Sequence, residues 1–153
     1  MQPPPPSDVT LTAPTPRLFD RAAWAFALLT AWPVVLLSTW LRPDHRGFGT
    51  HQQLGMPPCS FEAVTHVPCP GCGLTTSFTN MAHLHVADAF RAHLMGPMLF
   101  ALTLAVALAA PVGVRRGWSV AGALSLPWLT VYLGVTLAAG VLTFGLRLAH
   151  RFL

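Results

Sequence analysis

Apolar positions in this chain gather into three long runs, separated by polar, turn-rich stretches. The first covers residues 22–41, with Trp24, Phe26, Leu28, Leu29, Val34, Val35, Leu36 and Leu37 and no charged side chain inside it. Its twenty residues, at a rise of about 1.5 Å each, reach across a hydrocarbon core of about 30 Å, so the run predicts a membrane-spanning helix. Trp24 and Trp40 stand near its ends as interfacial aromatics do, Arg42-Pro43 closes it, and Pro33 offers a place for a kink. The second run, residues 94–110, is ended by Pro111 and Gly113. The third, residues 118–146, is longer than a bilayer needs, so it must tilt, bend at Pro127 or protrude. Two ridges of small residues recur at four-residue spacing: Ala101, Ala105 and Ala109 in the second run, and Thr130, Gly134 and Ala138 in the third. Such ridges let helix backbones approach closely in lipid. Packing within the chain is their simpler use, and a membrane-protein partner is the other.

Between the first two runs, residues 42–68 form a loop broken by Gly47, Gly49, Gly55, Pro57, Pro58 and Pro68. After Cys69-Pro70-Gly71-Cys72-Gly73, the positions Leu74, Phe78, Met81, Leu84 and His85 lie roughly along one side at helical spacing. This predicts a short amphipathic helix over residues 74–84, interfacial or re-entrant. A helix restarts at Asp88 or a neighbour, with Asp88 as its cap, and the second apolar run is its apolar part. Residues 1–16, with four consecutive prolines, predict an extended or disordered tail, leaving residues 17–153 as a single membrane domain. The tail lacks the basic, apolar start and small-residue cleavage site of a signal peptide, so the first run reads as a retained anchor. The expected fold is therefore an all-α integral membrane protein, with three transmembrane helices and a short helix following a Cys-rich loop.

Composition supports lipid as the solvent. Only 9% of the 153 residues are charged and 53% are hydrophobic, whereas a soluble domain carries about 25% charged residues. All nine basic residues are Arg and the formal charge is +4. They lie near the ends of apolar runs, where snorkelling to headgroups accounts for them. No basic stripe interleaves with aromatics as nucleic-acid binding would need. Three spans put Arg17, Arg21, Arg115 and Arg116 on one side and Arg42, Arg46, Arg91, Arg147 and Arg151 on the other, so charge sets no orientation. The side matters for the cysteines, which stay reduced if cytosolic and form a disulfide if periplasmic. Hydrolase motifs are absent, and the acidic residues are just Asp8, Asp20, Asp44, Glu62 and Asp88. Of these Asp88 is the functional suspect if it sits at membrane depth.

The distinctive text is Cys59-Ser60-Phe61 followed by His66-Val67-Pro68-Cys69-Pro70-Gly71-Cys72-Gly73-Leu74-Thr75. It resembles a bacterial family of small membrane proteins catalogued as domain of unknown function number 2752. That family shows a lone Cys, about nine residues, then a Cys-Pro-x-Cys-Gly-x-Thr run opening a helix. The resemblance covers residues 59–110, about a third of the chain. It implies the fold and a bacterial inner-membrane, multi-pass location, but no activity. The family usually has Arg after the Thr, where this chain has Thr76, and often Asn-Pro at the next membrane helix, where this chain has His93-Leu94.

The residues themselves allow three chemistries. Cys59, Cys69 and Cys72 supply three soft ligands for tetrahedral zinc, with His66, His83 or His85 as the fourth. Alternatively Cys69 and Cys72 form a redox pair in a membrane thiol–disulfide enzyme, with Cys59 as resolving thiol. Or the Cys-Pro-Gly-Cys knuckle is a plain structural turn. A thiolate gains from unpaired N–H groups at a helix start, and Cys72 stands nearest one. In either chemical case the Cys69 and Cys72 sulfurs should approach within about 4 Å. His85 and His93, eight apart, would share a face on one continuous helix. The leading reading is a non-enzymatic membrane component whose knuckle organises the loop and binds zinc. The rivals are the redox enzyme and an accessory subunit of a larger membrane complex.

Overall fold

The computed structural model describes residues 17–67 and 69–152. The Pro-rich tail, residues 1–16, lies outside the described residues. The described chain is helical: α1 Arg17–Trp40, a 3-10 turn Thr50–Leu54, α2 Ser60–Thr65, α3 Leu74–Ala82, α4 Val86–Ala92, α5 Met95–Arg116, α6 Val120–Leu124 and α7 Pro127–Phe152. Leu18–Trp40, Met95–Arg116 and Pro127–His150 are long and apolar enough to cross a membrane. Their large side chains point outward. Leu29 is 73% exposed and Leu137 66%, an amount of apolar surface that lipid covers and water would not tolerate.

The spans are packed through small residues and stray hydrogen bonds rather than an oily core, as expected where lipid is as apolar as Leu. The main contact is α1 against α5. Ala31, Ala107, Ala110 and Gly113 are buried there, and the Trp24 ring lies where a Gly113 side chain would go. The second span does not stop at Pro111, contrary to the pattern's expectation. It runs on to Arg116. Proline lacks the N–H that would bond the carbonyl four residues back. That carbonyl belongs to Ala107, and it accepts from Trp32 Nε1 on α1 at 3.1 Å. A neighbouring helix thus replaces the missing donor, the condition under which a membrane helix tolerates proline.

The third run divides at Ser125–Leu126. Pro127 opens α7, a position where its missing N–H costs nothing. On α6, Ser119 caps the first turn, Val120 N donates to buried Asp20 Oδ1 at 3.0 Å, and Trp118 O accepts from Trp24 Nε1 at 2.9 Å. The start of α1 is thereby tied to α6. Helix α7 crosses the first turns of α5. Tyr132 Oη donates to Met98 O, Leu94 N donates to Thr143 Oγ1, and Met95 lies against Gly140. The small ridges are not the intramolecular seams they were expected to be. Ala101, Ala105, Thr130, Gly134 and Ala138 are exposed, and nothing lies near a Cβ added at Gly134.

On the loop side, α3 buries its polar side against the protein, and the apolar side expected to face an interface is left half-buried or exposed. Thr76, Ser77 and Thr79 are fully buried and Asn80 nearly so, while Leu84 is 84% exposed. Short hydroxyl side chains let α3 approach its neighbours closely. Ser77 Oγ donates to Ala89 O at 2.8 Å, a Cβ on Gly96 would meet Ser77, and Thr50 and Thr76 share a buried hydroxyl pair at 2.7 Å. Phe78 meets Phe100 edge-on at 5.5 Å between centroids. Asp88 does not cap α4. His85 holds that place, and exposed Asp88 lies in the first turn, paired with Arg91 at 3.0 Å.

Candidate metal centre

Local chain geometry brings the cysteines together. In Cys69-Pro70-Gly71-Cys72 the Cys72 N–H donates to Cys69 O at 3.2 Å and Leu74 N–H to Gly71 O at 3.1 Å, which folds the segment into a tight turn. Gly73 then caps α3 at φ +85°, a conformation glycine adopts freely. A Cβ there would stand 2.5 Å from Ala92 O and 2.8 Å from Gly47 O, so the position also has no room. Cys59 stands at the N-cap position of the short α2, without a side-chain capping bond. The three sulfurs lie within 4.8 Å of one another. All three cysteines are free and half-buried.

The histidines do not join them. His66 is exposed and ends α2 in the left-handed region at φ 54°. His83 is exposed, donates Nδ1–H to Thr79 O at 2.8 Å, and lies beside exposed His85, 6.4 Å between ring centroids. His85 and His93 do not share a helical face, because one precedes α4 and the other follows it.

Among the thiols, the better-placed one is not Cys72. Burial, then the Cys59 thiol and the Cys69 charge, push Cys72 up to about 12. Cys59 is held below its ordinary value by the Glu62 backbone N–H first, then by the Cys72 and Cys69 thiols and the Phe61 N–H. The N–H groups that favour a thiolate are thus those of α2, not α3. Three thiolates this close repel one another, and a divalent cation is the group that lets all three ionise together.

Two further residues hold the site; His93 was picked out from the sequence only as a partner of His85, and Arg147 only as a terminal cation. His93 is fully buried; its Nδ1 accepts from Met95 N at 3.2 Å, so Nε2 carries the hydrogen and donates to Pro70 O at 2.9 Å. This neutral imidazole ties the α4–α5 junction to the knuckle, and burial lowers its pKa. Arg147 reaches back from α7, donating Nη1 to Cys72 O and Nη2 to Ala92 O. Thr76, where the resemblance has Arg, is buried on Thr50, and the guanidinium at this knuckle comes from Arg147. The only sequence signal was an Arg near the end of the last apolar run, which snorkelling explained equally well.

The knuckle opens on a cavity of about 510 Å³ whose lining includes Arg46, Glu62, Cys69, Cys72, Arg91 and Arg147. A neighbouring cavity of about 820 Å³ holds Asp44, His45, His83, His85 and Asp88. Asp44 pairs with Arg46 at 2.8 Å, which brings its carboxyl down to about 2.

No curated protein and no solved structure matches the chain. Residues 59–107, from the first cysteine of the cluster into the middle of α5, match the model of the family described as protein of unknown function (DUF2752), and over this third of its length the chain is similar to that family.

Proposed function

We propose that Cys59, Cys69 and Cys72 bind one zinc ion as thiolates, and that this non-enzymatic site organises the loop of a small membrane protein. The observation that carries the reading is the convergence of three sulfurs, from two separate turns, within 4.8 Å. Zn–S bonds of about 2.3 Å in a tetrahedron set sulfurs about 3.8 Å apart. Small rotations of the three side chains close that gap. Three soft ligands suit zinc better than the hard cations, which seek oxygen. The fourth position would be filled by solvent, or by His66 or His83 if its segment moves. His93 and Arg147 hold the backbone on either side of the ligands, the outer-shell role that orients metal-binding groups.

Metal content and free-thiol count on one detergent-purified sample test this. One zinc per chain, with all three thiols protected until chelation, is expected. A metal-free protein with one reactive thiol would mean a Cys69–Cys72 disulfide and would replace this reading with thiol–disulfide exchange. Three free thiols without metal would leave a packing motif.

One observation favours an accessory-subunit role beside this: the Thr130, Gly134 and Ala138 ridge is exposed along α7. Co-purification of a stoichiometric membrane partner, lost in Gly134→Leu, would support it.

A further inference from the structure

The cavity beside the knuckle carries an inference that does not depend on the metal. We propose that it binds a phosphate group, with Arg147 as the principal donor and Arg46 and Arg91 completing the wall.

A guanidinium has five N–H donors. Arg147 directs one from each Nη to a backbone carbonyl, which fixes the plane of the fork against the knuckle. The other three have no protein acceptor, and Arg147 has no carboxylate partner, among the described residues. The side chain is half-buried and lines the cavity. These donors are open to the cavity and taken by no protein group among the described residues, so an acceptor with several oxygens is the kind of ligand that would pair with them. Arg46 and Arg91 line this cavity and the neighbouring one, and each is held by a carboxylate. Asp44 takes Nε and Nη2 of Arg46, and Asp88 takes Nη1 of Arg91. Both carboxylates line the neighbouring cavity, not this one. The lining itself sets three guanidinium groups and His150 against a single acid, Glu62. With Asp44, Asp88 and Arg42 of the neighbouring cavity included, four guanidinium groups face three carboxylates, a net formal charge of only +1. Recognition therefore rests on directed N–H forks, which match phosphate oxygens in pairs, and not on a broad positive field.

Position points to the same chemistry. The cavity lies where the last turns of α7 meet the segment entering α5, at the ends of two candidate spans. That is the level of lipid phosphates, and it is also open to phosphate free in solution. One chemistry serves both.

The test uses the full chain in an uncharged detergent, with two probes: inorganic phosphate and dioctanoyl phosphatidic acid, the latter set against dioctanoyl phosphatidylcholine. Saturable binding of either anionic probe, weakened by salt, is expected. Binding of inorganic phosphate identifies a free-phosphate site, and binding of phosphatidic acid alone identifies a headgroup site. Arg91→Gln removes only an exposed ion pair, so the fold is kept, and binding should weaken about tenfold. Arg147→Lys keeps the charge and loses the fork, and should weaken binding at least as much. Arg116→Gln makes the same change of charge at the far end of α5 and should leave binding unchanged. Absence of saturable binding to both probes overturns the proposal. So does an equal loss in Arg91→Gln and Arg116→Gln, which would mean nonspecific attraction.

Discussion

Replacing Trp32 by Phe removes one hydrogen from the α1–α5 contact and keeps most of the ring. The structure says what that hydrogen does. It occupies Ala107 O, the carbonyl that Pro111 leaves without its helical donor. In the Trp32→Phe protein this carbonyl faces a contact from which water is excluded. An unsatisfied buried acceptor costs about 1–3 kcal/mol, and membrane hydrogen bonds measured by double-mutant cycles reach about 1.7 kcal/mol, so the expected loss is about 1–2 kcal/mol. Pro111→Ala restores an N–H at the position from which a helix would bond Ala107 O. In the Trp32→Phe background it should recover most of the loss. In the wild-type background, where the carbonyl is already satisfied, it should gain much less. The coupling between the two changes is then about 1 kcal/mol or more. Reversible unfolding of the four proteins in mixed micelles measures it. Additivity within about 0.3 kcal/mol, the usual agreement for independent sites, would refute the exchange of donors and leave Trp32 as simple packing.

Gly73→Ala should destabilise by about 2–4 kcal/mol, from the left-handed backbone and the collision with Ala92 O and Gly47 O, whereas Gly134→Ala, with open space around it, should be neutral or gain up to about 1 kcal/mol; equal effects in the same unfolding assay would contradict the packing around the knuckle. His93 is neutral and its pKa lies below the usual 6.5, so the unfolded chain takes up the proton first. Stability should therefore fall as pH drops below about 6.5 and level off beneath the lowered folded value, and this slope should be absent in His93→Asn. In metal-free protein at neutral pH, alkylation should label Cys59 first and Cys72 last, because the first thiol is held down and the second is raised to about 12; peptide mapping of partially labelled protein reads the order. Thr76→Val should cost about 1 kcal/mol by removing the Thr76 partner of the buried Thr50 hydroxyl, which keeps its bond from Asp44 N, and a smaller loss in the Thr50→Val, Thr76→Val double variant than the sum of the singles would verify that the two act as a pair.

Hydropathy alone located the three spans and grouped the cysteines, because a long uncharged run has one stable environment and close spacing along the chain brings residues near whatever the fold. It determined the helical class and lipid as the solvent for the same reason. It misjudged Pro111 as an end, since the donor that rescues the helix comes from Trp32, on another helix. It did not show which polar positions of α3 would pack, and it favoured an intramolecular use of the small ridges, since apolar side chains gain little by choosing protein over lipid. In such a chain the positions that pack are those that permit close approach or supply a hydrogen bond, and their partners are distant in sequence. Ser77 waits for Ala89, Thr76 for Thr50, Pro70 for His93 and Cys72 for Arg147. Periodicity carries no information about such pairs. The cysteine cluster was therefore legible in the sequence, while the imidazole and guanidinium that hold its backbone, and the cavity it opens on, were decided by tertiary structure alone.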